Sequence, residues 1–444
     1  MTETLTAAKP AKYAGYHQRE IPGTDRELTA VGPGTPLGEY VRSAWQPICL
    51  SSQLGDLPLA IRILGEDLVA FRDKSGRVGV LHRHCAHRGA SLEFGVLMEH
   101  GISCCYHGWH FDIDGTILAT PAEPPTTRIK DKIVQGAYPT IELHGLVFAY
   151  FGDPAHVPPP PRLDTAEDER VELKPFVLSI PCNWLQVYEN SQDPVHVVWL
   201  HARIAGAHFD ESNAAEQELD FLETPLGMMN VQTRRWGDAV WTRNVECILP
   251  NLNQTGALWE SADTEKVFQR VGLTRWIVPI DDTNSLQIGW RHLGSHLDPA
   301  GKDRPEAIGV NTIDFEGQDD STTYEQRQRR PGDYDAQVSQ RPVAVHALEH
   351  LVLSDKGVVL LRWLLRRAVR AFAEGKRPPA VGLDQLSTFT QDTVTLLPRG
   401  EGDDRTLLRR HGALVAEAVL ASAGRTPAER EAIVREAVAG LRQG

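Results

Sequence analysis

No stretch of the chain approaches the roughly 18 consecutive apolar residues that a membrane-spanning helix needs. Its first residues, Met1 to Gly15, contain no apolar core of the kind a secretory signal carries. Basic residues are in deficit. There are 46 Lys and Arg against 59 Asp and Glu, for a net charge of −13 and an isoelectric point near 5.7. That balance argues against nucleic acid and anionic membrane as partners. Cysteine is scarce too. Cys49, Cys85, Cys104, Cys105, Cys182 and Cys247 are too few for a disulfide scaffold and fit a reducing cytoplasm. No G-x-G-x-x-G opens a helix after a strand, so no dinucleotide-binding module is expected. What remains is a chain of 444 residues, long enough for two domains and a sizeable core.

Histidine is where the composition turns uneven. Six of the 17 histidines fall between His82 and His110. Within that stretch Cys85 and His87 form C-x-H, and Cys104 and His107 form C-x-x-H, with sixteen residues between the pairs. Two thiolates and two imidazoles can close a tetrahedral zinc site, or hold a [2Fe–2S] cluster with two cysteines on one iron and two histidines on the other. Gly89 and Gly108 follow the two pairs and suit tight loops that present ligands to each other. Trp109 is placed to shield a cluster from water. Cys105 lacks the spacing to His107 and reads as a bystander thiol.

A second group lies further on, at Asp193-Pro194-Val195-His196-Val197-Val198-Trp199-Leu200-His201. Asp193 can cap a helix whose first position is Pro194. His196 lies about 60° round an ideal helix from Asp193, so the two are neighbours. His201 lies about 140° round from His196, so an undistorted helix would not aim both rings at one metal. Either the helix bends or bulges there, or the histidines are two ordinary ones beside a cap.

Between and around these groups the pattern is α+β. Residues 1–44 are polar and rich in Gly and Pro and read as an extended arm, with a helix starting near Pro36. Residues 45–156 read as a small all-β domain, with strands at Leu59–Leu64, Glu66–Arg72, Val78–His82, His110–Asp112 and Val147–Phe151. Pro158 to Pro161 form the linker candidate. Residues 167–444 read as a second domain, with a strand at Val171–Ile180, helical character over Pro181–Gly206 and five strand-like runs ending near Arg291. His296 to Pro331 is a polar loop of a length that is usually functional or disordered. A strong helix begins at Ser354 or Asp355, and its arginines Arg362, Arg366, Arg367 and Arg370 read as a solvated face. A helical pair closes the chain, with a capping box from Thr426 to Glu429.

The cysteine–histidine stretch resembles the Rieske ring-hydroxylating oxygenases, whose pattern is C-x-H-R-G, about sixteen residues, then C-x-Y-H-G-W. The second group resembles the mononuclear iron motif of the same family, E-N-x-x-D-x-x-H-x4-H, here Glu189, Asn190, Asp193, His196 and His201. The resemblance implies a terminal oxygenase (alpha) subunit of the phthalate dioxygenase and aromatic O-demethylase branch. It implies a Rieske [2Fe–2S] cluster on Cys85, His87, Cys104 and His107. It also implies a mononuclear Fe(II) on His196, His201 and a downstream carboxylate. Laid on the family's ligand-bearing segment, the run from Pro331 to Arg362 puts Asp333 at that position; Asp335, Asp319 and Asp320 are the alternatives. The family's second domain implies a helix-grip fold, an antiparallel sheet curved round a long helix.

The implied partners are O₂, an aromatic small molecule and a separate NAD(P)H-dependent reductase, with or without a ferredoxin, because the chain has no C-x4-C-x2-C run or nucleotide module of its own. In the family, one subunit's cluster feeds the neighbour's mononuclear iron within a homotrimer, across an aspartate that Asp193 matches. Dihydroxylation, monohydroxylation and O-demethylation use all the same residues. Asn251 and His292 are pocket candidates from strand position alone. Two other readings stay open: a Rieske-type electron carrier without oxygenase activity, and a zinc-stabilised binding protein.

Overall fold

The computed structural model of the protein describes residues 12, 13, 15, 20–204, 206, 208–315, 322–377, 386–400 and 402–442. Its N-terminal half is built from three small antiparallel sheets. Trp45–Leu50 pairs with Leu146–Tyr150, which pairs with Thr140–Leu143. Leu59–Ile63, Glu66–Arg72, Val78–His82 and Ala137–Tyr138 make the second sheet. Four very short strands, Val96–Leu97, Ile102–Ser103, His110–Phe111 and Ile117–Ala119, make the third. The last two sheets share an apolar core of their own, with Phe71, Leu81, Leu92, Ile102, Trp109 and Phe111 buried in it.

The three-stranded sheet instead joins the core of the second half. Phe148 meets Trp276 edge to face at 5.3 Å, and Trp276 meets Trp290 at 5.2 Å. Trp45 Nε1 donates to the carbonyl of Pro158 at 2.8 Å, which seats the proline run against the first strand.

The second half is one nine-stranded antiparallel sheet. It takes in Glu172–Ile180, Asn284–Leu293, Leu273–Asp281, Leu252–Thr255, Ala239–Ile248, Gly227–Trp236 and Gln217–Thr224 in spatial order, with Lys266–Gln269 and Gln391–Leu396 as a branch. Against one face lies the long helix Lys356–Ala373, whose Leu361, Leu364, Leu365 and Val369 enter the core beside Trp184 and Tyr188. This is the helix-grip arrangement. The helices Asp404–Ala421 and Pro427–Ala439 pack on the same sheet through Val415, Val419, Val434 and Val438, and Thr426 closes its capping box with Glu429.

Three expectations change. The described part of the arm is folded rather than extended. Pro36–Arg42 is helical as expected, but Arg26–Thr29 is helical as well, and Leu28, Val31, Leu37, Tyr40 and Val41 are buried against the long helix. The arginines of that helix form a solvated face only in part: Arg367 and Arg370 are exposed, Arg366 is half-buried and Arg362 is buried, and all four are held by carboxylates. Arg362 is 9% exposed and bonds both Glu189 and Glu349; Arg366 and Arg370 hold Asp25 and Glu27; Arg367 holds Glu223. Their partners lie far off in sequence, so no local pattern announced them. Finally, the polar stretch before Pro331 is not featureless. It carries a bridge from Val310 to Val177 and the helix Tyr324–Arg329.

Candidate metal centres

The two cysteine–histidine pairs sit on two copies of one turn. In the first, the Gly89 N–H donates to the Cys85 carbonyl (2.8 Å) and the Cys85 N–H to the Ala90 carbonyl (2.9 Å). In the second, Gly108 donates to Cys104 (3.0 Å) and Cys104 to Trp109 (2.8 Å). Both glycines have positive φ, 74° and 72°, which side chains other than glycine rarely adopt. Gln135, 2% exposed, clamps the first loop by accepting from Ala86 N–H at 2.7 Å and donating to the carbonyls of His82 and His84.

The turns bring the His87 and His107 rings to 4.6 Å, and His87 stacks on Trp109 at 4.6 Å with the rings parallel. Cys85 and Cys104 are buried together in one apolar cluster, whereas Cys105 is exposed. Burial, opposed by the His87 backbone N–H, pushes the Cys85 thiol up to about 11. Metal binding here therefore has to displace a tightly held proton. His87 Nδ1 is buried with no hydrogen-bond partner among the described residues. A buried imidazole nitrogen without a partner is what a metal ligand looks like before the metal is added.

A single tetrahedral zinc would draw its donors to within about 4 Å of one another, given metal–ligand bonds of about 2.0–2.3 Å. Among the described residues, the groups of three or more His, Cys, Asp or Glu donors that lie within 4.8 Å of one another include neither cysteine. The wider spacing fits a two-iron cluster.

One of those tight groups is His196, His201 and Asp333. The helix problem posed by the sequence is solved by a change of helix. Val195–Val198 is α-helical, and Trp199–Ile204 is a π-helix. In a π-helix the hydrogen bonds run over five residues, so the turn is wider than an α-turn and swings His201 back toward the face that His196 occupies. The His196 and His201 rings lie 5.2 Å apart. Asp333, the first residue of the helix Asp333–Val338, places its Oδ1 3.1 Å from His201 Nε2 and 3.5 Å from His196 Nε2. Asn190 Nδ2 donates to the same oxygen at 3.1 Å. Burial opposes ionisation of Asp333, but His201 and His196 hold its carboxyl well below the usual range. Asp335 turns away to accept from the Gly332 N–H, and Asp319 and Asp320 lie outside the described residues.

The second tight group, Glu189, His346 and Glu349, encloses the Arg362 guanidinium, which already matches its two carboxylates. The helix starts one residue later than the sequence suggests, at Val195 with Pro194 as its N-cap, and the Asp193 carboxylate accepts the Val195 N–H at 3.3 Å from just outside it. The Asp193 backbone carbonyl, not its carboxylate, meets His196 Nδ1.

The Rieske [2Fe-2S] domain family matches residues 44–139. An oxygenase subunit of Aquincola tertiaricarbonis, a tert-butanol monooxygenase and tert-amyl alcohol desaturase, is 46% identical over 428 residues, 92% of this chain and 89% of that protein. The phenoxybenzoate dioxygenase subunit alpha of Ectopseudomonas oleovorans is 36% identical over 404 residues, 86% of this chain and 93% of that one. The chain is a Rieske oxygenase subunit. Its fold agrees: dicamba monooxygenase bound to dicamba superposes with a TM-score of 0.57, over 76% of this chain and 99% of that one, at 19% identity.

As a Rieske oxygenase the protein is an enzyme that uses a Rieske [2Fe–2S] cluster and a mononuclear iron, with O₂, a substrate and a separate reductase as its partners. Among the described residues no helix is long and apolar enough to cross a membrane.

Two features of the oxygenase centre escaped the sequence. His208 lies 3.0 Å from His201, Nδ1 to Nδ1. Burial pulls its pKa down to about 4, so it is a neutral ring that can accept the proton of His201 Nδ1 and fix that ring's tautomer. The other feature is the cavity over the three donors. Phe209, Val245, Leu258, Leu273 and Phe315 line its apolar side, and Asn213, Gln232, Arg243 and Arg275 its polar side. Neither Asn251 nor His292 reaches it. Asn251 bonds Gln46 and the Ile277 carbonyl, and His292 bonds Thr274, both in the core. Strand position alone could not tell which face of the sheet borders the cavity.

Proposed function

We propose that the Rieske cluster is held by Cys85, His87, Cys104 and His107, and the mononuclear iron by His196, His201 and Asp333. The convergence of those three donors at the floor of a half-apolar cavity carries the reading. Bound there, the iron supplies reductive activation of O₂. The chain's own residues do the rest. Asp333 stays ionised. Asn190 fixes the carboxylate's orientation by its hydrogen bond to Oδ1. His208 sets the His201 tautomer, and Phe209 and Phe315 keep water from the face where substrate lies.

Residues 45–156 form the cluster-bearing unit and 167–444 the catalytic unit, with 1–44 as an arm whose described part packs on the latter. The working assembly is a homotrimer in a reducing cytoplasm, fed by an NAD(P)H-dependent reductase with or without a ferredoxin. Within it, one subunit's cluster serves the neighbour's iron through Asp193. The Asp193 carboxylate supports this, since among the described residues it accepts one backbone N–H, that of Val195, which leaves lone pairs for a partner's imidazole.

The substrate is an aromatic molecule that is hydroxylated, dihydroxylated or O-demethylated. The phenoxybenzoate-oxidising relative and the apolar wall of the cavity support it. The electron-carrier reading leaves the three-donor group and its cavity without a role. The test is iron analysis with anaerobic reduction. Three irons per subunit, a mixed-ligand reduced-state EPR signal with average g near about 1.9, and O₂-dependent product after one reduction are expected. Two irons and no product would return the chain to electron transfer.

A further inference from the structure

The two cysteine–histidine loops belong to different sheets. The loop with Cys85 and His87 leaves the strand Val78–His82, and the loop with Cys104 and His107 joins the strands Ile102–Ser103 and His110–Phe111. Each loop closes on its own backbone, so neither fixes its distance from the other. Four ligands shared between two loops hold one cluster only if that distance is also held.

Gln135 is bonded to both sides. Its side chain accepts from the Ala86 N–H at 2.7 Å and donates to the carbonyls of His82 at 2.8 Å and His84 at 3.1 Å, all leading into the first loop. Its own backbone N–H donates to the Gly115 carbonyl at 2.9 Å, in the turn of the hairpin that follows the second loop. The fit at Gly115 is tight: its φ is +86°, and a Cβ there would lie 2.0 Å from the Gln135 carbonyl oxygen. The next residue, Gly136, accepts the His82 N–H at 2.9 Å. Among the described residues no side chain from elsewhere hydrogen-bonds the second loop, Cys104 to Trp109, so its place depends on the hairpin that carries it.

The side chain is specific to its task. Its partners need one acceptor and two donors on a single planar end, which glutamine supplies at this length and asparagine one methylene short. All of this is buried, and a buried polar group that loses its partner must find another, so removing the amide forces the loop to move. Movement there reaches a ligand. The Ala86 N–H is spent on Gln135, while the N–H groups of His87 and Arg88 face the Cys85 sulfur. Reduction adds negative charge to a cluster, and N–H groups at its sulfurs favour the reduced form.

We propose that Gln135 is a positioning residue, a strut that sets the separation of the two ligand loops and through it the reduction potential of the cluster. This rests on the cluster assignment made above.

The experiment is a redox titration of the purified holoenzyme, followed by absorbance and EPR, in the wild type, Gln135→Leu, Gln135→Asn and Gly115→Ala. Gln135→Leu keeps the volume and drops all three side-chain bonds. At a fixed solution potential its ratio of reduced to oxidised cluster should fall at least tenfold, about 59 mV for one electron, and its g values should shift. Gln135→Asn should fall between that variant and the wild type. Gly115→Ala pushes the strut from its other end, touches neither the Gln135 side chain nor a ligand, and should shift the potential the same way. If Gln135→Leu does not assemble the cluster, judged by iron and sulfide content, Gln135→Asn and Gly115→Ala decide. A lowered melting temperature with unchanged potential and g values would make Gln135 a stabilising residue only and overturns the proposal, as does a raised potential. The wild type keeps this separate from the cluster assignment: three irons and two sulfides per subunit with unshifted variants overturns the strut alone, and a wild type without sulfide overturns the cluster.

Discussion

The two metal centres are assembled in opposite ways. The cysteine–histidine centre is local. Its four candidate ligands come from 23 consecutive positions, on two turns with the same hydrogen-bond frame. Each turn is closed by its own backbone, so the ligand spacing follows from the turn itself. The His196–His201–Asp333 centre is distant. It needs a switch from α- to π-helix to gather two histidines and a separate helix, 132 residues after His201, to bring the carboxylate. The first is fixed by short-range geometry, the second by the packing of the whole catalytic half. Spacing therefore identifies the first kind of site from sequence, and underdetermines the second.

Removing one donor from each centre is the sharpest way to test that independence, and has the largest expected effect. Asp333→Ala should abolish turnover and release about one iron per subunit while sparing the cluster spectrum, because one of three protein ligands is gone. Cys104→Ser should bleach the cluster, and Cys105→Ser should not. Retention of the mononuclear iron in Asp333→Ala would move the ligand to Asp335 or to Asp319 and Asp320. Bleaching by Cys105→Ser would reassign the thiolate.

Next in size is the link between the centres. Asp193→Asn should leave both metals bound and reduction of the cluster fast, while product in a single turnover falls by orders of magnitude. A residue that only caps a helix would cost roughly 1 kcal/mol or less and leave the yield near normal. Rapid quench of the pre-reduced variant separates the two.

The distant centre should also be vulnerable from behind. Arg362 ties Glu189, one residue before Asn190, to Glu349. Arg362→Met leaves Glu189 buried without its partner and should cost about 3–5 kcal/mol in urea denaturation. The local centre should keep its spectrum until the whole chain unfolds. A change below 1 kcal/mol would show the pair to be dispensable.

The smallest effect concerns pH, and it acts far from both metals. His411 is buried between Thr242 and Thr395, and burial pulls it down to about 4. The unfolded chain takes up that proton first, near pH 6.5. The contribution of neutral His411 is therefore intact above pH 6.5 and shrinks as pH falls toward 4, by up to roughly 3 kcal/mol. His411→Asn should flatten that part of the stability profile. An unchanged slope would assign the acid sensitivity to other groups.

How much of this could be read in advance follows the same division. Cys85, His87, Cys104 and His107 stood out by spacing and composition, and the bystander role of Cys105 followed from its missing partner spacing. His196 and His201 were visible, but only with a distortion that the residues themselves did not name. Asp333 came from resemblance alone. The strands Leu252–Thr255, Lys266–Gln269 and Gln391–Leu396 were missed for a physical reason. Strand patterns are sought in apolar alternation, and the first and last of these carry buried Asn253, Gln254, Gln391, Asp392 and Thr393 instead, while Lys266–Gln269 is only four residues long. Their polar side chains bond one another, Arg275 and Arg243, and replace the apolar signal. The arm misled for a related reason. Its few apolar residues are spaced by Gly and Pro, and the acidic residues that anchor it find their arginines over 330 positions later.

The π-helical segment also makes this part of the chain unequal in its tolerance of length changes. Losing one residue between His196 and His201 would let the helix relax to ordinary geometry with the rings four apart, which still share a face. Gaining one would set them six apart, about 240° round an α-helix, and neither kind of helix gathers that spacing. Drift in this stretch is thus filtered by direction, with shortening open and lengthening closed.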